Sequence, residues 1–326
     1  MLVPVIAITA LCTRDAISWV GRPFAGFLFL DNRIVVSLGR STWRSPAIRR
    51  VEWALVTAVD GVTVDAAADI QRALIGACND PGNGAAGREL TYTLRRGADV
   101  FRVALPVRTF DRTDFATVFA PMLLIGAWTI GVGAALVVAR PDVAMLRAAF
   151  AVCLALGLSL ITGPDQYGPY RFVWLFYLAL AAFPASVFHL TAAFLWWPGV
   201  WTRRVVAVVY LAFAAVGATL VARRFEPTVF LPLLYLVYFA LANTLVLYLG
   251  TLVSAFASRR RSRTHVALAL AGVLTPAIVP IGVLVTYPLW TEPVSVPWFI
   301  VPIGLWPVLH GLALLKLAPA PPRVAT

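Results

Sequence analysis

Long apolar runs dominate the chain after residue 115, each broken by a short polar or basic loop. They lie near 116–138, 143–162, 172–196, 205–221, 229–256, 266–287 and 297–316. About 20 helical residues cross the roughly 30 Å hydrocarbon layer of a bilayer, so these runs predict seven membrane helices. An eighth is expected at the start, where Met1 to Cys12 is apolar and the helix extends to Val20. Arg14 and Asp15 then lie near the membrane surface, where a long side chain snorkels and its neighbour partly neutralises it. A cleaved secretory leader is the alternative, although no basic leader or A-x-A site accompanies the run. A start placed too far downstream also explains its shortness.

Between the first run and the rest, Gly21 to Asp114 is patterned differently. "RIVVSL", "ALVTAVDG", "ELTYTLRRG" and "VFRVALPVR" carry β-branched or aromatic residues with turn punctuation, and "DAAADIQRALIGA" has helical spacing with an aspartate near its start. The pattern predicts a small α+β domain. The expected layout is a first transmembrane helix (1–20), the small domain (21–114), a seven-helix bundle (115–318) and a tail (319–326).

Composition agrees with a multi-pass α-helical membrane protein. Hydrophobic residues make up 60% of the chain and charged ones 13%, with a mean hydropathy of +0.84, outside the balance of a soluble domain. The formal charge of +12 does not suggest nucleic acid, because Lys316 is the only lysine and the arginines cluster in short loops. With the small domain outside, ten basic residues fall on the cytoplasmic side (Arg140, Arg147, Arg203, Arg204, Arg259, Arg260, Arg261, Arg263, Lys316, Arg323) against Arg171, Arg223 and Arg224. The positive-inside rule then predicts cytoplasmic termini and an inner-membrane protein. Cys12, Cys78 and Cys153 have no paired spacing and read as small buried side chains. HExxH, GxxxxGK[ST] and GxGxxG are missing, so no metal or cofactor is expected.

The candidate chemistry is sparse. Asp142, Asp165, Glu226 and Glu292 are the acidic residues beyond 115, and all fall at loops or helix ends, unlike the mid-membrane carboxylate of a coupled transporter. His189 is the leading ligand or switch candidate inside a helix; the plainer reading for it and for His310 is an interhelical hydrogen bond. Pro184 removes a backbone donor and kinks the helix, as a hinge or as a static bend. Trp196 and Trp197 fit an interfacial belt. "GLSL" at Gly157 to Leu160 admits an intramembrane serine protease, with helix packing as the ordinary alternative. Arg259, Arg260, Arg261 and Arg263 form a loop suited to lipid head groups or a partner, besides orienting the chain. Tyr167 and Tyr170 in "GPDQYGPYR", with "TYPLWTEPVSVPW", would rim a ligand entrance or anchor the interface.

"VDG" at Val59 to Gly61, the helix after it and "LTYTLRRGADVFRVALPV" resemble the second half of a bacterial PDZ domain. "SWVGRPFAGFLFLDNRIVVSL", "RTFDRTDF", "FPASVFHLTAAFLWWP" and "IVPIGLWPVLHGLALLKL" resemble the flanks and helices of bacterial sensors that place such a domain before a seven-helix bundle. Glu52 and Trp53 replace the usual glycine–aspartate turn. In that group the bundle feeds a histidine kinase, nucleotide cyclase or serine phosphatase. Here "LAPAPPRVAT" stands where an effector begins, so the resemblance implies a non-enzymatic input protein. It would sense an extracytoplasmic peptide, small molecule or membrane-borne ligand and signal to a separate cytoplasmic effector. An intramembrane protease, a neutral-solute carrier and a truncated non-signalling protein are the alternatives.

Overall fold

The computed structural model describes residues 2–36, 40, 43, 51–79, 89–195, 199–258, 262–286 and 296–317. The chain opens with helix α1 (Leu2–Ile17), then enters the small domain on strand β1 (Pro23–Phe24). Strands β2 (Leu55–Val59) and β3 (Val62–Thr63) turn on Asp60 and Gly61, both at positive φ (49° and 81°), the backbone that an Asp-Gly hairpin supplies. Helix α2 (Ala67–Asn79) follows, and Asp69 near its start accepts from the amides of Asp65 and Ala66. Strands β4 (Glu89–Arg96) and β5 (Asp99–Pro106) pair over their full length, Leu90 opposite Leu105 and Leu94 opposite Phe101. The sheet order is β3-β2-β4-β5, antiparallel throughout.

Alternation places Leu90, Tyr92 and Leu94 of β4 on one face, where they pack under Ile70 and Leu74 of α2. "RIVVSL" differs from expectation: its described residues make single bridges, Phe29 with Val35 and Ile34 with Leu55, and residues 37–39 lie outside the described set. Residues 28–36 double back as a narrow hairpin whose tip is Asp31–Asn32. The last strand, β6 (Arg108–Thr109), pairs with β1, so the domain's entry and exit lie side by side.

A capped turn at Arg112–Asp114 and a π-helical turn at Phe115–Phe119 lead into α3 (Ala120–Ala139). Then come α4 (Ala144–Thr162), α5 (Val173–Phe194), α6 (Val200–Ala222), α7 (Pro227–Ala257), α8 (Arg263–Thr286) and α9 (Val296–Leu317). Among the described residues five helical segments are long and apolar enough to cross a membrane: Arg112–Ala139, Ala144–Tyr167, Val173–Phe194, Val200–Ala222 and Pro227–Ala257. The helix α6 starts at Val200 rather than 205, which draws Arg203 and Arg204 into its first turns.

Helix α3 packs on α4, α4 on α5, α5 on both α6 and α7, and α9 on α8 and α3. Small residues permit the closest crossings. A Cβ on Gly126 of α3 would lie 2.8 Å from the Gly157 carbonyl of α4, so "GLSL" is a packing seam. Ser159 accordingly donates to the Leu156 carbonyl within its own helix, at 2.8 Å. By contrast, α6 buries only Gly217 and Leu220 and leaves Val205, Val208 and Leu211 on the outside, a surface suited to acyl chains.

Candidate functional site

The small domain sits on one end of the bundle through an aromatic joint. Trp19, at the end of α1, meets Phe110 and Phe119 edge-on, with centroids 5.5 and 5.8 Å away. Phe24 meets Trp43 at 4.9 Å, Phe110 stacks on Phe119 at 5.2 Å, and Phe119 stacks on Tyr167 at 6.1 Å. Each pair adds about 0.5–1.5 kcal/mol beyond area burial. Asp114 holds the exit: its Oδ1 accepts from Arg40 at 2.6 Å and from the Trp43 indole at 2.9 Å. Its Oδ2 and the Asp111 side chain close a reciprocal capping box.

Away from that joint the contact is charged. The hairpin tip reaches the turn between α6 and α7, where Arg224 Nε donates to Asp31 Oδ2 at 2.7 Å and Asn32 Nδ2 donates to the Arg224 carbonyl at 2.8 Å. Asn32 Oδ1 also accepts from the Ile34 amide, which stiffens the tip. Asp31 is only 7% exposed. Burial lifts its carboxyl above the ordinary carboxylate range, and Arg224 offsets the lift only in part.

Beside the tip lies the turn between α4 and α5. Asp165 is buried and its Oδ2 accepts from the Phe172 amide at 2.6 Å. Gly168 passes so near α2 that a Cβ would sit 3.1 Å from Gln71 Nε2. Asp15 at the end of α1 is paired with Arg14 at 3.0 Å and Arg171 at 3.6 Å. Tyr170 feels both Asp31 and Asp165, and burial first, then those charges, raise its phenol. Tyr177, in the second turn of α5, lies within electrostatic reach of Asp31 and edge-on to Phe230.

Five buried polar atoms here have no hydrogen-bond partner among the described residues: Asp15 Oδ2, Asp31 Oδ1, Asp165 Oδ1, Tyr170 OH and Tyr177 OH. Asp15 Oδ2 is offset by the Arg171 guanidinium at 3.6 Å. The seam between domain and bundle is thus polar and buried, while the aromatic joint beside it is well packed. Among the described residues no set of three or more His, Cys, Asp or Glu is arranged to hold a metal ion.

The structure brings Tyr167 and Tyr170 into this junction and separates them from the other sequence candidates. His189 lies toward the far end of α5, its Nδ1 3.4 Å from Tyr210 OH of α6. His310 is buried between helices, Nε2 2.7 Å from Tyr248 OH and Nδ1 3.2 Å from the Ala269 carbonyl, with Trp306 stacked on it. Pro184 is buried inside α5. Arg263 starts α8 over the Phe256 ring at 5.6 Å. Arg259, Arg260, Arg261, Trp196, Trp197, the 319–326 tail and most of "TYPLWTEPVSVPW" lie outside the described residues. Cys12 and Cys153 are buried as expected; Cys78 is only half-buried, because it packs against the edge of the small domain's core at the end of α2.

Asp31, Arg224, Asp165 and Tyr177 were not legible as a site, since 193 residues separate the first two. The signal available was weak: two adjacent arginines in a short loop and an Asp-Asn turn. Compared with family models, curated proteins and solved structures, the chain matches none.

Proposed function

We propose that this chain is a membrane signal-input protein in which the small domain, by docking on or releasing the bundle, reports an extracytoplasmic or membrane-borne ligand to a separate cytoplasmic effector. The observation that carries the reading is the seam itself: a hairpin tip clamped by Arg224 beside the buried carboxylates Asp15, Asp31 and Asp165 and the phenols of Tyr170 and Tyr177. A contact so costly to dry out is poorly suited to permanent packing and well suited to two states of near-equal free energy. A ligand that prefers one state shifts the pair in proportion to its unequal affinity.

In this reading α1, α8 and α9 complete eight spans, the small domain is PDZ-like and extracytoplasmic, and both termini are cytoplasmic, as the arginine asymmetry favours. The effector is a kinase, cyclase or phosphatase acting in trans. The protease reading draws no support from Ser159, whose hydroxyl is engaged with Leu156.

The test uses the full chain in lipid nanodiscs with Cys78→Ser and spin labels at Val62→Cys and Trp201→Cys, both exposed positions. Two distance populations, with Arg224→Ala enriching the longer, are expected. One population unaffected by Arg224→Ala defeats the docking switch; separately, in intact cells carrying the wild-type chain, labelling of Cys78 from the cytosolic side alone defeats the orientation.

A further inference from the structure

At the end of the bundle away from the small domain, α4, α5 and α6 leave a pocket of about 810 Å³. Its polar wall consists of Arg147, His189, Thr202, Arg203 and Tyr210; small alanines from all three helices line the rest. We propose that this pocket binds the phosphate head group of an anionic phospholipid, with the acyl chains running down the outer face of α6.

The first argument is charge. Arg147 is exposed and its Nη1 donates to the Pro141 carbonyl at 2.6 Å, which holds the guanidinium without neutralising it. Arg203 has no carboxylate partner among the described residues, and Asp142, the acid of the adjacent loop, pairs with Arg140 at 3.3 Å. The wall keeps a net positive charge, since Arg147 only shares the field of Asp142 with Arg140, and it suits a phosphate, which accepts bidentate hydrogen bonds from guanidiniums. Tyr210 and Thr202 add hydroxyl donors of the kind that complete such a site.

The second argument is shape. A soluble anion needs only the polar wall, yet Ala144, Ala192, Ala193, Val206 and Ala207 give the pocket an apolar lining as well. Further round α6 from the pocket lining, Val205, Val208 and Leu211 are 48–70% exposed, an apolar face open to acyl chains. Trp201, 76% exposed at the first turn of α6, marks the level where indoles favour the head-group layer. An occupant with an anionic head and an apolar tail satisfies both parts, and basic pockets between membrane helices commonly hold such lipids. His189 thus lines a lipid site at the opposite end of the molecule from the domain seam.

The experiment is native mass spectrometry of the full chain exchanged from nanodiscs with equal phosphatidylglycerol and phosphatidylcholine. Wild type is expected to retain phosphatidylglycerol over phosphatidylcholine by about tenfold or more, since each arginine near a head group contributes roughly fivefold. Arg147→Ala with Arg203→Ala should abolish the preference, and the double Arg→Lys variant should restore part of it. Arg204→Ala, whose guanidinium instead lies over Trp201 at 5.4 Å, should keep it. Equal retention in the double alanine variant, or equal loss in Arg204→Ala, overturns the site. Inorganic phosphate at 10 mM that displaces the lipid completely assigns the wall to a soluble phosphoryl group and overturns the lipid. A circular-dichroism melt unchanged from wild type separates lost binding from lost fold, and in a variant that melts lower the lysine pair decides.

Discussion

Arg224 grips the hairpin tip through both its side chain and its backbone: the guanidinium holds Asp31 at 2.7 Å while the carbonyl accepts from Asn32 at 2.8 Å. The same guanidinium lies over the Phe225 ring at 4.4 Å, so its plane is set from two sides. A turn between two apolar helices thereby holds the reach of the small domain.

Arg224→Ala leaves a buried carboxylate without its partner. It should weaken docking of residues 28–36 by about 2–4 kcal/mol. Arg223→Ala removes only a half-exposed pair with Glu226 at 3.3 Å and should cost under about 1 kcal/mol. Hydrogen exchange at the Val35 and Val36 amides in nanodiscs checks both, and equal effects would count against the clamp.

Docking should strengthen as pH falls. Asp31 has a docked value raised above its free value, so docking takes up a proton. The contribution is complete below about pH 3.9 and lost as pH rises through the docked value. Protection of the hairpin should therefore climb as pH is lowered from 7 towards 4, with a smaller slope in Asp31→Asn. Identical slopes in the two proteins would exclude Asp31 as the source.

Gly126→Ala should lower the melting temperature in detergent, at a cost of about 1–3 kcal/mol, because the new methyl meets the Gly157 carbonyl and Ile161 at 2.8 Å. Gly131→Ala in the same helix has nothing within 4 Å. It should change stability by less than about 0.5 kcal/mol.

Tyr248→Phe tests the buried histidine. The Ala269 carbonyl requires a proton on His310 Nδ1, so Nε2 is the acceptor and Tyr248 the donor. Its loss should cost about 1 kcal/mol, read from thermal melts. A double-mutant cycle with His310→Ala should show coupling of the same size, and additive effects would show that the contact carries no energy.

Hydropathy located the helices because a run of 20 apolar residues has one economical structure in lipid, and Asp60–Gly61 announced its hairpin through local backbone chemistry. His310 was legible as a helix-pairing residue, although Tyr248 was not, since a tyrosine in an apolar run gives no sign of its partner. The seam escaped for a related reason. Asp31, Asp165 and Arg224 each look like ordinary loop charges, and only the fold reveals that they share one buried interface. Trp53 is a further case: it sits at φ 60°, where glycine is usual, and its side chain remains 40% exposed.

The pairing of β1 with β6 has a consequence for inheritance. Gly21 donates to the Phe110 carbonyl and Phe110 to that of Arg22, at 2.8 and 2.9 Å, so the two chain segments that leave the bundle are zipped together before the small domain begins. Any foreign fold whose ends lie that close would graft onto the same stem without parting α1 from α3. Recombination at this point would exchange the head of the molecule and spare its trunk.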